Sequence, residues 1–410
     1  MLLKSFAGKY KHEKYRSFLC VGLHSLYNYN NTRMAPSPST TRVEAGSWAV
    51  DRVFALVEVW ALVAAFSGVV GAWQLLGVCR VSRAGAKEFL GTLPRLVVCS
   101  GYKSGGRGET VSEVWGLNLA TMRWEAMPAL LRARSSHACC VVRGALVVLG
   151  GLTPRVGVPR GHTSTFGAAT FSRAPTSRVE MLSKRGGAFV ELPPLSCGAV
   201  YSAAAVAVDE SHSALGQVLL LGGRDQDYTE TSSVRLVDLA TGVCTPQANL
   251  PHARSCFAAT RLPNGGIACT GGAGVLSTAE IWGPPVQGAL DAAWAWGELP
   301  AMSVGRSGCR GCMLIDGRFA VLGGYSDHAY TSSWEALTLG GDKHWSRRPP
   351  MHKSRSSFAC VSVAGCVIVA GGSPQRKSAE VFDEVLGRWL RLPHDLPYSG
   401  GMHYIGSALL

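Results

Sequence analysis

Charge is scarce in this chain: Asp, Glu, Lys and Arg make up 16% of its 410 residues. The formal net charge is +13, yet no lysine run and no interleaving of basic with aromatic side chains accompanies it, so the footprint of a nucleic-acid binder is missing. The first 33 residues supply +5 of that charge, because Lys4, Lys9, Lys11, Lys14, Arg16 and Arg33 face Glu13 alone. Metal and catalytic patterns are absent as well. No two histidines stand at i, i+4, and no His and Cys share a metal-ligand spacing. The glycines end apolar runs instead of opening helices, which excludes a phosphate cradle. His137, without partners of the right kind nearby, reads as a strand residue. No catalytic residue, cofactor or metal is therefore assigned.

A disulfide framework is missing too. The 13 cysteines are odd in number and sit largely in apolar runs such as HACCVV and GCVIVAGG, where a thiol behaves as a small buried hydrophobe. This reads as a reduced, intracellular chain, cytoplasmic with access to the nucleus. The CxxC of Cys309 and Cys312 has no second pair, and on a strand its side chains would face opposite sides. The N-terminus shows no signal-peptide cleavage pattern. Residues 1–47 read as a basic, disordered tail in which Met34-Ala35-Pro36-Ser37-Pro38 looks like an ordinary protein start.

What the chain has in abundance is apolar residues, 47% of the total, and 49 glycines, a composition that gives a large core and many tight turns. The glycines follow a repeat. A short apolar run ends in a diglycine at Gly151 (ALVVLGG), Gly223 (QVLLLGG), Gly272 (GIACTGG), Gly324 (RFAVLGG) and Gly372 (CVIVAGG), with a weakened copy at Gly101 (LVVCSGY). Successive spacings are 50, 72, 49, 52 and 48 residues, so one unit recurs with one long insertion across residues 152–177, whose Gly, Pro, Ser and Thr content is that of a loop.

Three further marks keep a fixed order in each unit. An Arg-Ser or Tyr-Ser pair precedes the diglycine, at Arg134, Tyr201, Arg254, Arg306 and Arg355. A glutamate among apolar residues follows it, as at Glu180, Glu280 and Glu380, and an aromatic closes the unit at Trp124, Phe189, Trp296, Trp345 and Trp389, with Cys244 as the exception. Four short apolar segments separated by turn residues predict four antiparallel strands per unit. The second segment is apolar without alternation, which predicts burial on both faces, as between neighbouring propeller blades. After Trp389 comes Tyr398-Ser399, taken as a sixth opening pair, and then one strand's worth of chain. The repeat begins at Leu96 with a second strand, so the C-terminus is expected to supply the missing first strand and close the ring.

The diglycine, the Arg/Tyr-Ser start and the tryptophan as a set resemble the kelch family over roughly residues 91–410. The resemblance implies an all-β, six-bladed propeller closed by N- and C-terminal strands in one blade. It implies a non-enzymatic protein-binding role, with Arg134, Tyr201, Arg254, Arg306, Arg355 and Tyr398 around a loop-lined face that receives an acidic segment of a client protein. Some kelch-like propellers are copper oxidases, and that alternative needs a Tyr-Cys pair with two histidines near the channel.

Residues 48–90 differ from the repeats and read as helical, with Val59, Leu62, Val63 and Phe66 at i, i+3, i+4 and i+7. Their ending, QLLGVCRVSR, resembles the close of an F-box, although Asp51-Arg52-Val53 stands where that family has Leu-Pro. This resemblance implies a substrate-recognition adaptor of a cullin-type ubiquitin ligase, with those four residues contacting the linker subunit. Two other readings stand beside it: helices that merely cap the propeller of a stand-alone cytoskeletal or signalling scaffold, and a membrane span over the 21 uncharged residues from Val59 to Cys79. Glu58, the Ser67-Gly68 break and Gly71 weigh against the span, so no membrane partner is assigned.

Overall fold

A computed structural model describes residues 55–104, 109–155, 173–183, 187–208, 213–283, 294–374, 377–398 and 400–410. The basic stretch 1–47, Met34 and Ser399 lie outside the described residues. Six antiparallel sheets form the blades of a closed propeller. Blade 2, for example, is built from Ala138–Val142, Ala145–Leu149, Val179–Leu182 and Val190–Leu192. Its second strand shows why the apolar runs do not alternate: Leu146, Val147, Val148 and Leu149 are all fully buried, because blades cover both faces. Each such side chain contributes about 1.5–3 kcal/mol by leaving water.

Ring closure occurs in blade 1. Gly401–His403 and Gly406–Leu409 pair with Leu96–Ser104, with Leu96 opposite Leu409 and Tyr102 opposite His403. Arg95 and Leu410 exchange backbone hydrogen bonds at 2.7 and 2.9 Å, so the chain's last residue is held by the first residue of the ring. The edges that two free termini would expose are thereby paired.

A belt of backbone hydrogen bonds explains the diglycine. The second glycine of each blade donates to a carbonyl of the next blade: Gly101 to Arg134 (3.0 Å), Gly151 to Val200 (2.8 Å), Gly223 to Arg254 (2.8 Å), Gly272 to Arg306 (2.8 Å), Gly324 to Arg355 (2.7 Å) and Gly372 to Met402 (2.6 Å). The first glycine is needed because a Cβ on Gly150, whose φ is +61°, would collide with the Val200 carbonyl oxygen. Ser100 occupies that site in blade 1 with φ +48°, and its hydroxyl donates to the Arg134 carbonyl at 2.6 Å. Deeper in the ring lies a second belt. Ser136 donates to Tyr404, Ser202 to Ser136, Cys256 to Ser202, Gly308 to Cys256 and Ser357 to Gly308, at 2.7–3.0 Å, and all six residues have positive φ.

This belt corrects two register assignments. The opening residues are Arg134, Val200, Arg254, Arg306, Arg355 and Met402, so Tyr201 and Tyr398 are not copies of the arginine. The longer spacing in blade 3, 23 residues from Val200 to Gly223 against 17 from Arg134 to Gly151, and the chain end in blade 1 obscured the register, since only backbone pairing defines it.

The closing tryptophans tie blades 1, 4, 5 and 6 to the connections that precede them. Their indole N–H groups donate to backbone carbonyls: Trp124 to His394 (3.2 Å), Trp296 to Ala248 (2.9 Å), Trp345 to Pro300 (2.7 Å) and Trp389 to Pro349 (2.9 Å).

Ahead of the ring stand α1 (Val57–Leu75) and α2 (Arg80–Thr92). The VCRVS run forms their turn. Cys79 caps α2, the Cys79 N–H donates to the Ser82 hydroxyl at 3.0 Å, and that hydroxyl donates to the Leu75 carbonyl at 3.0 Å, satisfying an orphan acceptor of α1. α1 is long and apolar enough to cross a bilayer by length and composition, but it is broken at Gly68 (φ 70°, ψ −175°), which abuts the Ala364 carbonyl. Beyond the break, Val69, Val70, Ala72 and Leu75 are buried in one core with Ile368 of blade 6 and Leu117 of blade 1, and the Trp73 indole donates to the Leu119 carbonyl at 2.7 Å. Leu119 and Ala364 lie in turns at the strand ends remote from the diglycines, so the helix pair sits on the opposite face of the ring.

Candidate functional site

The arginines expected to ring a binding face are interior. Arg134, Arg254, Arg306 and Arg355 are at most 1% exposed, and Tyr201 and Tyr398 are buried at 8% and 4%. Each guanidinium reaches back into its own blade. Arg306 donates to the carbonyls of Gly323 (3.1 Å) and Ser333 (2.9 Å) and to Glu335 Oε1 (3.1 Å), whose other oxygen accepts the Ser303 N–H at 3.1 Å. Arg355 does the same with Gly371, Ser378 and Glu380, Arg254 with Gly271, Thr278 and Glu280, and Arg134 with Gly150, Arg178 and Glu180. The diglycine carbonyl and the repeat glutamate are thus the arginine's partners, and its charge is consumed inside the blade. This corrects the expectation that these guanidiniums, with Tyr201 and Tyr398, meet a client's carboxylates.

Register explains the two departures. Blade 3 has Val200 for the arginine and Arg235 for the glutamate, while blade 1 has Met402 and Trp115. Arginine and glutamate are kept together or lost together within this one chain, as expected when neither can be buried alone.

The partly exposed groups at the channel mouth come from elsewhere. The ends of the long insertion pair as a ribbon, Leu152–Pro154 with Arg173–Pro175, on the diglycine side of blade 2. The ribbon carries Arg173 over the Tyr102 ring at 4.5 Å, where its Nη1 donates to the Ser135 hydroxyl at 2.9 Å. Tyr102 stacks obliquely on His403 (5.3 Å), and His403 lies edge-on to Tyr404 (4.9 Å). From blade 3, the Tyr228 hydroxyl donates to the Arg173 carbonyl at 3.4 Å and the Tyr228 ring meets Tyr201 edge-on at 6.0 Å. Tyr325 and Tyr330 add a further edge-on pair at 5.5 Å from blade 5.

Burial sets the protonation of two members of this cluster, Tyr404 and His403. It lifts the Tyr404 hydroxyl to about 12, and with the Arg173 charge it drives His403 down to about 4. At neutral pH the mouth therefore offers the Arg173 cation, the neutral His403 imidazole and the protonated Tyr404 phenol, a donor-rich aromatic surface. Tyr and Arg are the residue types that dominate protein–protein hot spots. Sequence reading missed Arg173 because it lies in the insertion, outside the repeat; its only signal was a basic residue at the end of a loop flanked by Pro175.

Among the described residues, no group of three His, Cys, Asp or Glu side chains converges to hold a metal. Cys309 and Cys312 are both buried and enter different clusters. His137 is buried, and desolvation, aided by the charges of Arg134 and Arg310, pushes it down to about 3.

On the opposite face, the four helix positions divide. Val59 is buried and Val63 is packed against the core, while Leu62 and Phe66 are 54% and 57% exposed. α1 is apolar almost all round, so periodicity does not choose its buried side. Gly85 of α2 chooses it: a Cβ there would lie 2.5 Å from the Ala61 nitrogen and the Val57 carbonyl oxygen, so only glycine admits this close approach. Leu56 and Val78 join Leu62 and Phe66 as exposed apolar groups of the helix pair.

No family model matches the chain. Among curated proteins, human Kelch-like protein 34 is 24% identical over 313 residues, which is 71% of this chain and 44% of that protein. The chain thus spans less than half the length of that relative. Among solved structures, that of YjhT aligns with a TM-score of 0.55 at 11% identity, covering 73% of this chain and 98% of that one, a likeness of fold.

Proposed function

We propose that this chain, a kelch-repeat β-propeller, is a non-enzymatic recognition module that grips a client protein at the Tyr/Arg mouth and docks a ubiquitin-ligase linker subunit through its helix pair. The observation that carries the reading is the cluster of Arg173, Tyr102, His403, Tyr404 and Tyr228, assembled from blades 1, 2 and 3 at the mouth. Its cation and hydroxyl donors suit a client segment that brings carboxylate or carbonyl acceptors. The exposed Leu62 and Phe66 on the opposite face support a second, simultaneous contact, since an adaptor has to hold client and ligase at once. Each contact requires on the order of 800 Å² per partner. A cytoplasmic or nuclear setting accords with that role.

The test is a pull-down of residues 34–410 probed for linker and cullin subunits. Recovery from the wild-type chain and its loss in a Leu62→Glu, Phe66→Glu variant that still melts cooperatively supports the adaptor. No recovery from folded wild type leaves a stand-alone interaction scaffold, a reading favoured by how firmly α1 is built into the core of blades 1 and 6.

A further inference from the structure

Blade 3 lacks two devices that recur elsewhere in the ring, and both gaps fall at one place. Where blades 1, 4, 5 and 6 fasten the preceding connection with a tryptophan, blade 3 has Cys244, opposite Val237 in the same register in which Trp389 faces Phe382. The connection entering blade 3 brings Ser196 and Cys197 to that position. The Ser196 N–H donates to the Gly242 carbonyl at 2.9 Å, the Cys244 N–H donates to the Ser196 hydroxyl at 2.9 Å, and the Cys197 thiol donates to the Cys244 sulfur. Where blades 2, 4, 5 and 6 bury the arginine that pairs with glutamate, blade 3 has Val200. The vacated space is a cavity of about 450 Å³ lined by Cys197, Val200, Gly222, Ser233 and Arg235. Cys197, a cavity and a cation therefore meet at the junction of blades 2 and 3, with Cys244 held beside them through Ser196. Both cysteines are partly exposed residues, unlike the fully buried Cys99 and Cys309.

We propose that Cys197 and Cys244 form a reversible dithiol–disulfide site, oxidised by low-molecular-weight disulfides, that covalently latches the connection from blade 2 to the outer strand of blade 3. In the first step the Cys244 thiolate attacks one sulfur of RS–SR. The S–S bond breaks, Cys244–S–S–R forms, and RS⁻ leaves and takes up a proton. In the second step Cys197 gives up its proton and attacks the Cys244 sulfur, which closes the protein disulfide and releases a second RSH. Two thiols are oxidised while one small disulfide is reduced to two thiols. The order of attack follows from the hydrogen bond. Cys197 donates into Cys244 and holds it down at about 6, while the same bond pushes the donor thiol up. Arg235, on the cavity wall, favours the thiolate of Cys197, the sulfur that attacks in the second step. The bond would replace the indole-to-carbonyl tie of the other blades and close a loop from residue 197 to residue 244, which constrains the unfolded chain.

The test is to incubate the native full chain with oxidised glutathione, alkylate the remaining thiols and map peptides by mass. Expected is a Cys197–Cys244 linked peptide that dithiothreitol reverses, together with a raised melting temperature. Cys197→Ser should accumulate a glutathione adduct on Cys244, whereas Cys244→Ser should lose both adduct and link, and neither variant should show the melting shift. The proposal is overturned if both sulfurs are recovered alkylated while the exposed Cys79 takes up glutathione, or if the link forms with no change in melting. The outcome is independent of whether the mouth binds a client.

Discussion

Arg306 and Glu335 meet at 3.1 Å with side chains 1% and 2% exposed, a full ion pair sealed inside one blade. Gly323, Ser333 and Ser303 engage further donors and acceptors of the pair, and the buried Arg306 Nε is left without a partner. Removing one partner leaves the other charge buried and unmatched. Arg306→Ala or Glu335→Ala should each cost about 3–5 kcal/mol, whereas the double replacement Arg306→Met, Glu335→Leu should cost much less. Urea melts of the three variants measure this; equal losses in single and double variants would contradict it.

Acid should destabilise the ring through His137. The folded chain holds this imidazole neutral down to about 3, while the ordinary value is 6.5. Between those limits the unfolded state binds the extra proton, so stability is fully present above about pH 6.5 and falls as pH drops through the window, by on the order of a few kcal/mol. His403, held at about 4 beside Arg173, acts in the same direction. His137→Gln should flatten the dependence of stability on pH between 6.5 and 4.5, read by chemical denaturation at each pH.

The first glycine of the blade 2 pair should tolerate no side chain. Gly150→Ala combines a left-handed backbone with a collision against Val200, and is expected to cost more than about 2 kcal/mol. Gly91 in α2 has open space around the missing Cβ, so Gly91→Ala should gain about 0.5–1 kcal/mol from helix propensity alone. Thermal melts with opposite signs would confirm the contrast.

At the mouth, Arg173→Ala and Tyr404→Ala should weaken client capture tenfold or more. The control is Arg143→Ala, whose guanidinium binds the Ser213 and Ala214 carbonyls by the inner-strand turn on the other face and should leave capture unchanged. Proximity labelling followed by quantitative recovery decides between them; equal recovery from all three variants would remove the mouth from the binding role.

Much of this architecture was written in local sequence. The diglycine period, the uninterrupted apolar second strands and the lone final strand each follow from steric or burial demands that one residue or one short run meets by itself, so they can be read without neighbours. The identity of the repeat glutamate was legible too, as was the exception at Cys244. What a run of residues could not show was direction. Arg134, Arg254, Arg306 and Arg355 carry the same letters whether they face a client or their own glutamates. Only the packed blade, by closing over the diglycine carbonyl and demanding a donor there, turned them inward. Tertiary pairing likewise decided that Val200 and Met402, not Tyr201 and Tyr398, open their blades, because the belt of Gly-to-carbonyl bonds sets register across chain segments of different length. Arg173 reached the mouth through a long-range ribbon, and Gly85 chose the buried side of a helix apolar nearly all round. The sequence by itself determined which elements form and how they repeat, since those depend on each segment's own backbone and burial; the tertiary structure decided which polar groups remain for a partner, since that depends on what every neighbouring blade has already satisfied.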